Sequence, residues 1–165
     1  MRGKPSSLSC ITFAFKLLGR RAHCVHEINA KLERKGYEKD EIAATVQKLQ
    51  NLGYLDDAKY CKAYASARVE RMKIGPAKLA AELSRKGFAG DLVNSVVAGI
   101  FGGPEDQFQV AQKAAMKKFR TIAKKVEAGS ARRKVFDHLV RRGFSMEIAR
   151  RVVFNGWKEL AGGGR

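Results

Sequence analysis

The sequence predicts an all-α fold of three tandem three-helix repeats, set in an elongated array, straight or curved, of helix-turn-helix-like modules. Three observations predict it. One pattern recurs three times: an aliphatic residue, three spacers, a Leu, one spacer, two cations, a Gly and an aromatic. It occupies Ile28–Tyr37, Leu79–Phe88 and Val135–Phe144, with the glycines 51 and then 56 residues apart. Apolar residues then recur at helical spacing after each glycine, and no run of alternating β-branched residues competes.

The stretch Leu8–Leu18 follows Arg2 and Lys4 and superficially resembles a secretory signal. It is short, contains Ser9, Cys10 and Thr12, and meets Arg20-Arg21 without a small-residue cleavage site, so it reads as a first helix. In the second, Ile28 and Leu32 share a face, Arg34 and Lys35 fill the last turn, and Gly36 supplies the left-handed stop. Ile42, Val46, Leu49 and Leu52 mark the third. A cap at Asp56 or Asp57 opens a helix through Tyr60, Tyr64 and Ala67, and Pro76 begins the fifth, which stops at Gly87. Val93 and Val97 define the sixth. Beyond Gly102-Gly103-Pro104 lies a long stripe of Phe108, Ala111, Ala115, Phe119, Ile122 and Val126. Ala128-Gly129-Ser130 reads as a flexible turn before Val135 and Leu139, which stop at Gly143, and Ala149 and Val153 mark the last helix. Repeat boundaries fall at 1–54, 55–103 and 104–160, with a frayed tail at 161–165. Units of about fifty residues are small for independent stability, so neighbours should support one another.

The 165 residues carry 33 Lys+Arg against 16 Asp+Glu, a net charge of +17 that predicts an anionic partner, nucleic acid ahead of acidic membrane. No apolar run approaches transmembrane length. Cys10, Cys24 and Cys61 are odd in number and widely separated, which argues against a disulfide framework or zinc module and for a reducing cytoplasm. His23, Cys24 and His26 lack a second half-site for a metal. No phosphate-cradling loop, nucleophile elbow or paired carboxylate suggests catalysis, so neither cofactor nor enzymatic activity is expected.

The cation pairs Arg34/Lys35, Arg85/Lys86 and Arg141/Arg142 have two readings, complementing a helix dipole or also touching a partner. In the third repeat the balance favours anion binding: Lys113–Arg151 holds a surplus of +10 in 39 residues, including Lys117, Lys118, Arg132 and Arg133. Arg68, Arg71 and Lys73 close the Tyr60–Tyr64 helix, whose tyrosines read as core with a solvated hydroxyl. Stacking by Tyr54 lacks the interleaved aromatics of a single-strand platform. Asp56 and Asp57 are explained as helix caps without a metal.

The three repeats, the Leu52-Gly53-Tyr54-Leu55-Asp56-Asp57 junction followed by Tyr60, Tyr64 and Arg68, the Lys86-Gly87 and Arg141-Arg142-Gly143-Phe144 helix ends, and Arg20-Arg21-Ala22-His23 resemble the bacterial RecX regulatory proteins from about Phe13 to Val153. The sequence departs from that family's pattern at Ala22, where an acidic residue is usual, and at Cys24, where a Ser caps the second helix. Cys is the poorer cap, so that helix is expected to start less firmly. The tail beyond Phe154 matches no pattern of the family.

The resemblance implies a non-enzymatic regulator of the RecA recombinase. Such a protein binds in the groove of the RecA–DNA filament and opposes its growth, suppressing strand exchange, ATP hydrolysis and cleavage of the SOS repressor. Filament contacts are then expected at Arg20, Arg21, Arg34, Lys35, Arg68, Arg71, Lys73, Arg85, Lys86, Lys117, Lys118, Arg132, Arg133, Arg141 and Arg142. Single- and double-stranded DNA would meet these basic faces, no membrane would be involved, and a monomer is the simplest assembly. The alternative is a helix-turn-helix protein acting on duplex DNA without a recombinase. The second helices carry few base-reading side chains for it, Asn94 and Ser95 in one repeat and Arg150 and Arg151 in another.

Overall fold

The computed structural model describes residues 8–123 and 127–155, and every secondary-structure element among them is an α-helix. Val126, Lys124, Lys125 and the Gly162–Arg165 tail lie outside the described residues. The helices are α1 (Cys10–Leu18), α2 (Val25–Lys35), α3 (Lys39–Asn51), α4 (Asp57–Met72), α5 (Pro76–Lys86), α6 (Gly90–Ile100), α7 (Pro104–Ile122), α8 (Ala128–Arg141) and α9 (Met146–Asn155). The chain forms two compact units, residues 1–63 with 83–93, and residues 64–82 with 94–165.

In the first unit, Ile28 and Leu32 of α2 bury against Ile42, Val46 and Leu49 of α3 and Cys10 and Ala14 of α1. These i, i+4 pairs form the apolar stripes expected of short helices that cannot stand alone. Leu52 departs from its expected place, being 55% exposed. It is the C-cap of α3, after which Gly53 turns the chain, and Leu55 takes the buried position instead. The two aspartates of the junction divide their work. Asp56 Oδ1 accepts from the Lys59 amide at 2.8 Å and caps α4, while Asp57 Oδ1 accepts from the Val25 amide at 2.9 Å and caps α2.

Cys24 heads α2 in a complete capping box: its Sγ accepts from the Glu27 amide and Glu27 Oε2 accepts from the Cys24 amide. The helix thus begins with the full reciprocal pair despite sulfur being the weaker acceptor. The same thiol donates to the Lys86 carbonyl at 3.1 Å, at the end of α5. All three cysteines are buried and free.

In the second unit, α7, α8 and α9 enclose Ala111, Ala115, Ile122, Val135, Leu139, Phe144, Ala149 and Val152, with Phe108 and Phe119 packed at the edge. Ala128-Gly129-Ser130 is the first turn of α8 and not a flexible loop. Glu127 takes the extended N-cap conformation, and Ala131 extends the Val135–Leu139 stripe one turn backward, so burial overrides the turn-like composition. The start of α5 meets the end of α8: the Gly75 amide donates to the Arg142 carbonyl at 2.8 Å, and the Ala77 amide to the Gly143 carbonyl at 3.2 Å.

Gly143 has φ +84°, and a Cβ there would collide with the backbone of Lys78; Gly53 has φ +73° with open space around it. Gly53→Ala is therefore expected to cost only the left-handed strain, about 1–2 kcal/mol, and Gly143→Ala distinctly more, as read from urea unfolding midpoints.

Candidate nucleic-acid interface

The expected filament-binding cations fall into two groups according to what they touch. Glu27 holds two of them. Arg21 meets its carboxylate with both terminal nitrogens, at 3.2 and 3.0 Å, and Lys86 Nζ lies 3.2 Å away over the ring of Tyr60. Burial pushes the Glu27 carboxyl up, but Arg21, the Cys24 amide and Lys86 outweigh it and hold the pKa at about 2. Arg68 is likewise engaged, in a two-pronged pair with Glu82 at 2.7 and 2.9 Å. Lys73 pairs with Glu70 at 2.9 Å, and Arg142 donates to the Met72 carbonyl. Lys35 lies over the Phe13 ring, 5.5 Å from its centre.

Five others, Arg34, Arg85, Lys117, Arg132 and Arg133, line three hollows. In the first unit, Lys31 and Arg34 of α2 line a groove of about 330 Å³ with Arg85, Lys86, His26 and Glu27. The Arg34 and Arg85 pairs of successive repeats thus converge, although they lie 51 residues apart. In the second unit, Arg132, Arg133 and Phe136 of α8 face Arg150, Val153 and Phe154 of α9 across a cleft of about 370 Å³. A third hollow, about 490 Å³, lies along α7 between Lys113, Met116, Lys117, Arg120 and Thr121. Arg20, Arg71 and Arg141 are exposed, whereas Lys118 is half-buried.

Guanidinium groups beside an aromatic can meet a phosphate and a base face together, a pairing suited to single strands. Lys31, Phe136, Arg150 and Phe154 are not among the filament contacts expected from sequence, which places Arg150 only among the base-reading side chains of the duplex alternative. Arg150 is signalled by its position one turn before Phe154, whereas Lys31 is marked only by sharing a face with Arg34.

Tyr54 stands 58% exposed with its ring edge-on to Phe15, the centroids 5.0 Å apart. His23 is buried with Nδ1 2.9 Å from the Arg21 carbonyl, and burial lowers its pKa. Among the described residues no group of three or more His, Cys, Asp or Glu side chains is placed to hold a metal ion. No helix there is long and apolar enough to cross a membrane.

Family models of RecX match the chain in the order its helices occur: the first three-helix domain over residues 10–49, the second over 56–97 and the third over 105–153. The chain belongs to the RecX regulatory protein family. It is 35% identical to regulatory protein RecX of Vibrio vulnificus over 150 residues, covering 90% of this chain and 94% of that one. Against the RecX of Mycobacterium avium it is 33% identical over 140 residues, covering 84% and 79% respectively. The crystal structure of RecX from Lactobacillus salivarius has the same fold, with a TM-score of 0.76 over 92% of this chain and 94% of that one at 20% identity.

Because the Glu27 proton is held more weakly in the folded than in the unfolded chain, its stabilisation is complete above the ordinary value of 4.5 and is lost as pH falls through about 2. Glu27→Gln is expected to cost roughly 2–3 kcal/mol near neutrality and much less in strong acid, as measured by urea unfolding across that range.

Proposed function

We propose that this RecX family member is a non-enzymatic negative regulator of RecA, lodging in the groove of the RecA–DNA filament and opposing its growth. ATP turnover, strand exchange and SOS repressor cleavage would all fall with it, giving the protein a place in DNA repair. The supporting observation is that Lys31, Arg34 and Arg85 line the α2/α5 groove, where Glu27 pairs with Arg21 and Lys86, and that Arg132, Arg133 and Arg150 line the α8/α9 cleft. Phosphate contacts of this kind work by releasing counterions and carry little sequence information. The exposed side of α9 presents Met146, Glu147, Arg150 and Phe154, a poor set for reading base edges, which favours a filament over a chosen duplex sequence.

Adding the purified protein to RecA on single-stranded DNA should slow ATP hydrolysis; unchanged turnover at saturation would overturn the reading. Replacing Arg132, Arg133 and Arg141 with Gln should weaken filament binding while helical circular dichroism is kept. The dependence of log affinity on log salt should become shallower by about 2, on the basis of about 0.7 per single-strand phosphate contact. Arg142 is excluded from that set because it holds the Met72 carbonyl.

A further inference from the structure

His138 sits in a setting that the filament role does not explain. Its carbonyl accepts from the Arg142 amide at 3.0 Å, which brings the end of α8 into the turn. The carbonyls of Arg142 and Gly143 accept in turn from Gly75 and Ala77, and Gly143 lies directly on the backbone of Lys78. The start of α5, carrying Lys78, is thereby fixed against the end of α8. Lys118 comes from α7, whose neighbours Ala115 and Ile122 share the buried core with Leu139. Arg142 is further tethered through the Met72 carbonyl.

The start of α5, the end of α8 with its following turn, and the face of α7 that carries Lys118 between Ala115 and Ile122 are thus packed around one half-buried imidazole. The four cations they carry act on it. Among the described ion pairs none involves Lys78, Lys118 or Arg141. Asp137 adjoins the ring in the chain, yet the four charges acting on it most strongly are all positive. On α9, Arg151 is committed to Glu105 at 2.7 Å.

We propose that Lys78, Lys118, His138, Arg141 and Arg142 form a phosphate-binding site. Half-buried like charges, here Lys78, Lys118 and Arg142, repel one another more strongly than solvated ones, and an anion with several oxygens relieves them together with the exposed Arg141. Lysine and arginine donors from three helices can share such an anion's oxygens, whereas a single carboxylate offers fewer acceptors and less charge. Burial first, then Arg142, Lys118, Arg141 and Lys78, hold the His138 pKa at about 4. A bound phosphate offsets those cations, so the ring takes a proton from solvent as the site fills. Binding then tightens as pH falls from the bound-state midpoint to about 4, by up to about tenfold per unit, and levels off below that. The phosphate can be free or part of a nucleic-acid backbone. Only the second source rests on the filament reading.

The test follows the His138 ring resonance of the full chain by NMR through a pH titration, alone and with inorganic phosphate, a single-stranded oligothymidylate or acetate. The midpoint is expected near about 4 without ligand and about a unit or more higher with a phosphate probe. Lys78→Ala combined with Lys118→Ala should abolish the rise. No rise with either phosphate probe overturns the site, as does an equal rise with acetate; should the double variant fail to fold, the wild-type titration decides. A response to the oligonucleotide alone assigns a phosphodiester, and one to free phosphate alone assigns the free anion. RecA turnover is scored separately: unchanged ATP hydrolysis with a shifted midpoint retains the site without the filament role, and slowed hydrolysis with a fixed midpoint does the reverse.

Discussion

The carbonyls at the end of a helix and the amides at its start have no partners within the helix, and short helices leave a large share of their backbone in that state. Here the two deficits are brought together. The end of α5 offers the Lys86 carbonyl to the Cys24 thiol at the head of α2, and the end of α8 offers the Arg142 and Gly143 carbonyls to the first amides of α5. Position 75 follows position 24 by 51 residues, the same step that separates Gly87 from Gly36, so the two contacts are one arrangement used twice. At one seam a side-chain sulfur is the donor and at the other a backbone amide. The left-handed glycine makes both possible, because it ends the helix with no side chain to hold the surfaces apart.

The electrostatics follow from that junction. Glu27 completes the capping box, and in that position it gathers Arg21 from ahead of α2 and Lys86 from the end of α5. With 16 acids for 33 cations, a carboxylate used in this way serves two cations at once and the remaining acids cannot match the rest. Much of the positive surplus is consequently left on the surface, where it destabilises the folded chain by self-repulsion unless an anion is present. A protein selected for stability alone would have mixed its signs.

Much of the helical order is legible in the sequence because each stop depends on local chemistry: an apolar pair, terminal cations and a glycine. Leu52 and the Ala128–Ser130 stretch mislead for opposite reasons. Leu52 continues the correct spacing past the point where Gly53 turns the chain, and Ala128–Ser130 has turn-like residues where the next apolar position, Ala131, still belongs to the helix. The individual cations are less legible. Lys86 and its carboxylate are 59 residues apart, and Arg142 and the Met72 carbonyl are 70 apart, so no local window separates a structural cation from a presented one. The paired aspartates show the same limit, since both are caps but Asp57 serves a helix that ended some twenty residues earlier.

The seams also have a direction. The starts of α2 and α5 each wait for a carbonyl that comes later in the chain, residue 86 for residue 24 and residue 142 for residue 75. During synthesis, a repeat that has fully emerged therefore still lacks hydrogen-bond partners until the next repeat's turn has been made, for a thiol in the first repeat and for two backbone amides in the second. The nascent chain must close backwards, each addition completing what precedes it. Reversing or shuffling the order of the repeats would leave every helix composed as before and every seam unmade.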